Sequence, residues 1–188
     1  MNIYVLLAKK AVENYIKEKK IISLSEDLPE EFLTKKSGTF VTIERNSELR
    51  GCIGTYLPTK KNIAEEIIHN AIAAATEDYR FSPIQKQELP ELSYTVYVLD
   101  KPESIKSIDE LDPKKYGILV KSQSFSPGSD VVFEPAPSIH SKSGLLLPDL
   151  EGVNTVEKQI SIACQKGNIN PDTEKIMIYK FKVEKFEQ

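Results

Sequence analysis

Residues 49–54 read Leu-Arg-Gly-Cys-Ile-Gly, and they hold one of only two cysteines in the chain. If this run is a strand, alternation puts Leu49, Gly51 and Ile53 on one face and Arg50, Cys52 and Gly54 on the other, with the Arg50 and Cys52 Cα atoms roughly 6.5 to 7 Å apart. A guanidinium beside a thiol favours the thiolate and lowers its pKa from about 8.5 toward neutrality, which gives a nucleophile or a redox group. Gly51 and Gly54 would leave backbone N–H donors open to an anion or an oxyanion. The plainer alternative is structural: the glycines admit a neighbouring backbone or mark a bulge, Cys52 is a small buried hydrophobe and Arg50 a surface charge. A cysteine nucleophile also needs a proton acceptor, and neither His69 nor His140 is placed by sequence near Cys52. Two histidines and two distant cysteines have no metal-ligand spacing, so no metal site and no cofactor is expected.

The elements that must position these residues follow from hydrophobic spacing. The first segment, NIYVLLAKKAVENYIKEKK, predicts an amphipathic helix with Ile3, Leu6, Leu7, Ala11, Tyr15 and Ile16 on its apolar stripe. GTFVTIE and LRGCIGTY flank a short polar turn and predict a hairpin. KNIAEEIIHNAIAAATED predicts a helix with Ile63, Ala64, Ile67, Ile68, Ala71, Ile72 and Ala75 on one face, Asn70 on its edge and His69 on the solvent side. ELSYTVYVLD predicts a strand with Leu92, Tyr94, Val96 and Val98 inward, and YGILVK another. Residues 122–142 are rich in Ser and Pro, include His140 and the run VVF, and read as a surface insertion.

After GLLLPDL, the run TVEKQISIACQKG predicts a helix opened by Asn154 and closed by Gly167, with Cys164 among its core residues. The final run alternates Met177, Tyr179, Phe181 and Val183 inward against Lys180, Lys182 and Glu184, as one half-solvated strand near a sheet edge. Strands next to strands, broken by a few helices without βαβ alternation, predict an α+β fold, mostly antiparallel sheet with flanking helices.

Composition limits the function classes. The 188 residues suit a single domain, and 25 Lys+Arg against 28 Asp+Glu give a net charge of -3, with lysines dispersed among acids rather than gathered in a stripe. No nucleic acid is expected as partner. The apolar stretch Tyr4 to Ala8 is too short for a secretion signal or a membrane anchor, so the expected location is cytoplasmic, away from membranes, with both thiols reduced.

GTFVTIERNSELRGCIGTY, NAIAAATEDYRFSPIQKQELPELSYTVYVLDKPE and GLLLPDLEG closely resemble the AMMECR-one domain family, named after the AMME syndrome chromosomal region. The resemblance runs from the first helix to the final strand, and LRGCIG is its most specific element. It implies one α+β domain over residues 1–188 with a larger and a smaller lobe, and the hexapeptide near the cleft between them. The family's activity is unsettled. Its prokaryotic members resemble protein A of the AmmeMemoRadiSam system, which implies Memo-like and radical SAM proteins as partners. Carried over by position, the family motif draws attention to Leu49, Arg50, Gly51, Cys52, Ile53 and Gly54, then to Asn70, Asp78, Arg80 and Phe81. Asp78 and Arg80 also read as a charge pair at a helix end, and Asn70 as a side chain bonded to loop backbone. The insertion at 122–142 departs from the family pattern.

Two functional classes result. One is an enzyme or enzyme component in which Cys52, activated by Arg50, acts on a small anionic or carbonyl ligand held by Gly51, Gly54, Asn70, Asp78, Arg80 and Phe81. The other is a non-enzymatic adaptor in which the motif is structural.

Overall fold

The computed structural model describes residues 2–25, 28–122 and 142–188. Residues 123–141, with His140 and the VVF run, lie outside the described residues, so the expectations for them are not taken further. No described helix is long and apolar enough to cross a membrane. The chain divides into two compact units, Met1–Lys101 with Glu184–Gln188, and Pro102–Val183. Mixed helices and antiparallel sheets make the fold α+β, as the sequence predicts.

In the first unit, α1 (Ile3–Glu18) starts at Asn2, whose side chain accepts the Tyr4 N–H. Its buried set is Tyr4, Val5, Leu7, Ala8, Ala11, Val12 and Ile16. The stripe is therefore broader than the sequence reading and includes Tyr4, Val5, Ala8 and Val12, while Ile3 and Tyr15 only flank the core. A short α2 (Glu30–Thr34), unforeseen in the polar connector, buries Phe32 under the Tyr4 ring.

The hairpin is β1 (Thr39–Arg45) and β2 (Glu48–Gly54), joined by Asn46 and Ser47. Both turn residues have positive φ, 53° and 65°, the combination whose twist matches that of paired strands. β3 (Leu92–Leu99) pairs with the other side of β1, and β8 (Val183–Glu187) completes the sheet in the order β2-β1-β3-β8. Val41, Ile43, Tyr94, Val96 and Val98 form its buried face, against α1 and α3 (Ile63–Thr76). Ile63, Ile67 and Ala71 of α3 are completely buried; each such aliphatic side chain of Val or Ile size contributes about 1.5–3 kcal/mol. His69 is exposed on the solvent side, as its position on the wheel predicts.

Strict alternation fails in β2. Ile43 pairs with Gly51 but Glu44 pairs with Leu49, so Arg50 is an extra residue and forms a bulge. Leu49 therefore joins the Cys52 side rather than the Gly51 side. A bulge costs the ladder one rung and re-aims the side chain that carries it.

The second unit contains β4 (Glu103–Ser104), β5 (Gly117–Ser122), β6 (Ser143–Leu146) and β7 (Ile176–Phe181) in the order β4-β7-β5-β6. α4 (Val156–Lys166) has Thr155 rather than Asn154 as its cap: the Thr155 hydroxyl accepts the Lys158 N–H. Cys164 is buried with Ile118, Val120 and Ala163, the core role predicted for it.

The final run is not one strand. β7 lies inside the second sheet and β8 at the edge of the first, and the run passes from one to the other around Lys182. Ile176 and Ile178 pack on the second core while Met177 is exposed, so at 176–178 the inward set is the reverse of the reading from alternation, whereas Phe181 is buried as that reading has it. Phe181 is buried, its ring over Gly117, where a Cβ would fall 2.4 Å from it.

Candidate functional site

Gly51 is needed because α3 crosses β2 at this point: a Cβ there would lie 2.1 Å from the Ala74 carbonyl oxygen. Gly54 seats the Phe40 ring of the paired strand, which a Cβ would meet at 2.2 Å. The close-approach reading of the two glycines is thus supported by contacts with Ala74 and Phe40.

The Arg50 guanidinium is turned to Glu88, with Nε donating to Oε2 at 2.8 Å and Nη2 to Oε1 at 3.1 Å. Arg45 approaches the same carboxylate at 3.6 Å. Arg50 holds the Glu88 carboxyl below the usual range, and the Gln85 N–H adds to this from the short 3₁₀ turn Lys86–Glu91. Among the described residues, the Arg50 head meets the Glu88 carboxylate and the Phe81 ring, the latter 6.0 Å from its carbon. The Arg50 cation expected beside the thiol is therefore committed to Glu88.

Cys52 is half-buried. It pairs with Thr42, which also pairs with Thr95, so a cysteine and two threonines form one row across the sheet on the side opposite Val41 and Ile43. The Thr42 hydroxyl donates to the Cys52 sulfur at 3.3 Å. The Cys52 main chain faces the free edge of β2. Its N–H donates to Asp78 Oδ2 at 2.8 Å, and its carbonyl accepts from Arg80 Nη2 at 3.4 Å.

Asp78 and Arg80 belong to the loop after α3, which returns to the helix through the Ile84 N–H to the Ala75 carbonyl at 2.9 Å. Arg80 binds Asp78 through Nε at 2.9 Å and Nη2 at 2.7 Å, and its own N–H donates to the same carboxylate at 3.2 Å. The Arg80 guanidinium and then the Cys52 N–H outweigh burial and hold the Asp78 carboxyl down at about 2. The Phe81 ring lies 5.5 Å from the Arg80 guanidinium carbon. Tyr79, between Asp78 and Arg80 in the chain, is 95% exposed. The structure thus brings together Cys52, Asp78, Arg80, Phe81 and Arg50 around β2: Asp78 and Arg80 bind the Cys52 backbone, and the Arg80 guanidinium is also close enough to the Cys52 side chain for charge to act between them.

Asn70 is placed elsewhere. It is buried, and its amide donates to the Thr39 carbonyl at 3.0 Å and the Thr39 hydroxyl at 2.9 Å. One turn earlier on α3, the fully buried Glu66 accepts from the Thr55 hydroxyl at 2.6 Å and from the N–H groups of Thr59 and Lys60, both at 2.7 Å. Burial pushes the Glu66 carboxyl up, and the bonds from Thr55, Lys60 and Thr59 together bring it below its ordinary range. Asn70 and Glu66 thus fix the segment leaving β2.

Sequence reading missed Glu66, Glu88 and Thr42. An acid on the otherwise apolar face of the second predicted helix, four residues before Asn70, was a usable signal for Glu66. Glu88 had a weaker one, a Gln three residues before it in a capping pattern. Thr42 had none without the register. Among the described residues, no group of three His, Cys, Asp or Glu side chains could hold a metal ion.

The AMMECR1 family model matches residues 5–186. A Thermotoga maritima protein is 44% identical over 184 residues, covering 97% of this chain and 96% of its own length. A Clostridium acetobutylicum protein is 43% identical over 96% of this chain, which spans only 35% of that longer protein. The crystal structure of the uncharacterised protein PH0010 from Pyrococcus horikoshii superposes with a TM-score of 0.82 at 32% identity, over 98% of this chain and 89% of that one.

Proposed function

The chain belongs to the AMMECR1 domain family, and from that premise we propose that its working group is the Cys52 thiol, in a thiol-dependent site for a small anionic or carbonyl ligand. The observation that carries this reading is the contrast among the motif residues. Gly51, Gly54, Arg50, Asn70 and Asp78 are each taken up by a partner inside the fold, whereas the Cys52 sulfur is half-buried and accepts one hydroxyl bond from Thr42. The site works with Memo-like and radical SAM proteins as its protein partners.

The test pairs ligand protection with partner capture. Small carboxylates and carbonyl compounds are screened for slowing alkylation of Cys52 while leaving Cys164 unaffected, and the Memo-like and radical SAM proteins of the same organism are tested for binding to the native chain and to Cys52→Ser. Protection of Cys52 by one ligand class, together with partner binding that the native chain shows and Cys52→Ser loses, supports the proposal; no protection by any of them contradicts it.

A second reading, a non-enzymatic adaptor, is favoured by Tyr79, an aromatic held at 95% exposure on a loop fastened by ion-paired and backbone bonds. Tyrosine is among the residues most often dominant in protein interfaces. On this reading Tyr79→Ser abolishes partner capture and Cys52→Ser leaves it intact; the reverse pattern rejects the adaptor.

A further inference from the structure

We infer that the Asp78–Arg80 pair is a lock on the free edge of the first sheet, standing where a neighbouring strand would stand and closing β2 to strand addition. Among the described residues, β2 is the outermost strand of its sheet. In an antiparallel sheet the N–H and C=O of alternate residues point to the partner strand and away from it. Those of Cys52 point away, into the space where a further strand would pair, and an edge of this kind is a template for pairing with another chain. Here both groups are already bonded. The Asp78 carboxylate takes the N–H at 2.8 Å, and Arg80 reaches the carbonyl at 3.4 Å, so one acceptor and one donor on a single loop reproduce the two bonds of a ladder rung.

The surrogate rung is internally braced. Nε and Nη2 of Arg80 grip the two oxygens of Asp78 at 2.9 and 2.7 Å, and the Asp78 side chain is only 3% exposed. An incoming strand would have to displace both groups and leave a buried carboxylate without its donors. Two residues earlier the bulge at Arg50 breaks the register that such a strand would follow. The two devices lie on the same short edge, and together they leave no run of β2 with an uninterrupted set of free rungs on both sides of Cys52.

Two measurements test the lock. Amide hydrogen exchange on the native chain should show the Cys52 N–H protected roughly ten- to a hundredfold over an open-edge amide, the range for a hydrogen bond to a charged group. That protection should vanish in Asp78→Ala while the amides of Ile43 and Val41 keep theirs. Light scattering after gel filtration should show Asp78→Ala and Arg80→Ala associating with themselves at concentrations where the native chain associates less. Arg80→Ala keeps the buried carboxylate and serves where Asp78→Ala does not fold. A native Cys52 amide that exchanges as fast as an open-edge amide overturns the inference, as does an Arg80→Ala chain that associates no more than the native one. Neither outcome depends on the reactivity of the Cys52 thiol, so the lock and the proposed thiol site stand or fall separately.

Discussion

Replacing Gly51 with alanine is the sharpest test of what the central glycine does. The added Cβ would lie 2.1 Å from the Ala74 oxygen and 3.1 Å from its carbonyl carbon. Ordinary carbon contacts are about 3.5–4.0 Å, and both atoms met are main chain, so no side-chain rotation relieves the overlap. Either β2 or α3 must shift by more than about 1 Å, and α3 is held by Ile63, Ile67 and Ala71, all fully buried. Overpacking of this kind costs about 1–3 kcal/mol, and the backbone contact places Gly51→Ala at the upper end, about 3 kcal/mol. For a chain of this size that is roughly 6–12 °C in melting temperature. Urea unfolding followed by circular dichroism measures it: the midpoint should fall while the slope stays unchanged, since the surface exposed on unfolding is the same. A Gly51→Ala midpoint within about 0.5 kcal/mol of the native chain would refute the packing account.

Further outcomes follow from the same contacts. Arg50→Ala strips Glu88 of its bidentate partner and leaves Arg45 at 3.6 Å as partial compensation, so unfolding should show a loss of about 2 kcal/mol, while the alkylation rate of Cys52 stays within twofold of native. Glu66→Gln keeps one oxygen for the Thr59 and Lys60 N–H groups, sets an NH2 against the Thr55 and Thr59 hydroxyls and removes the charge from all four bonds, so it should cost about 1.5–3 kcal/mol in the same assay. The Asp78 carboxyl lies at about 2 in the folded chain against its ordinary 3.8, so it adds stability that is fully present above pH 4 and is lost as pH falls through 2. The loss is about 2 kcal/mol, read as the difference in acid unfolding between the native chain and Asp78→Asn; parallel acid profiles for the two would count against the ion pair.

The elements legible in the sequence were those with a strong local period. The face of α3 and the inward set Leu92, Tyr94, Val96 and Val98 of β3 were fixed by side-chain spacing alone, and the hairpin by a polar turn between two β-rich runs. A single extra residue in β2 carries no signature in composition, because Arg50 fits a regular strand as well as a bulge; only the pairing of Glu44 with Leu49 shows it. The last run misled for a similar reason: alternation continues through Lys182, yet the chain leaves one sheet and joins another there. The hexapeptide was legible as the region of interest, but its partners were not. Arg50 finds Glu88 across 38 residues and Cys52 finds Asp78 across 26, distances over which pairing depends on the completed fold.

The most direct measurement is the rate at which iodoacetamide labels Cys52 and Cys164 in the native chain at neutral pH, resolved by peptide mass spectrometry. Cys164 is buried, and burial pushes its thiol up, so it should be labelled only on unfolding. Cys52 should be labelled in the folded chain, at a rate that Arg50→Ala leaves within twofold of native. A Cys52 as resistant as Cys164 until the chain unfolds would contradict the thiol site.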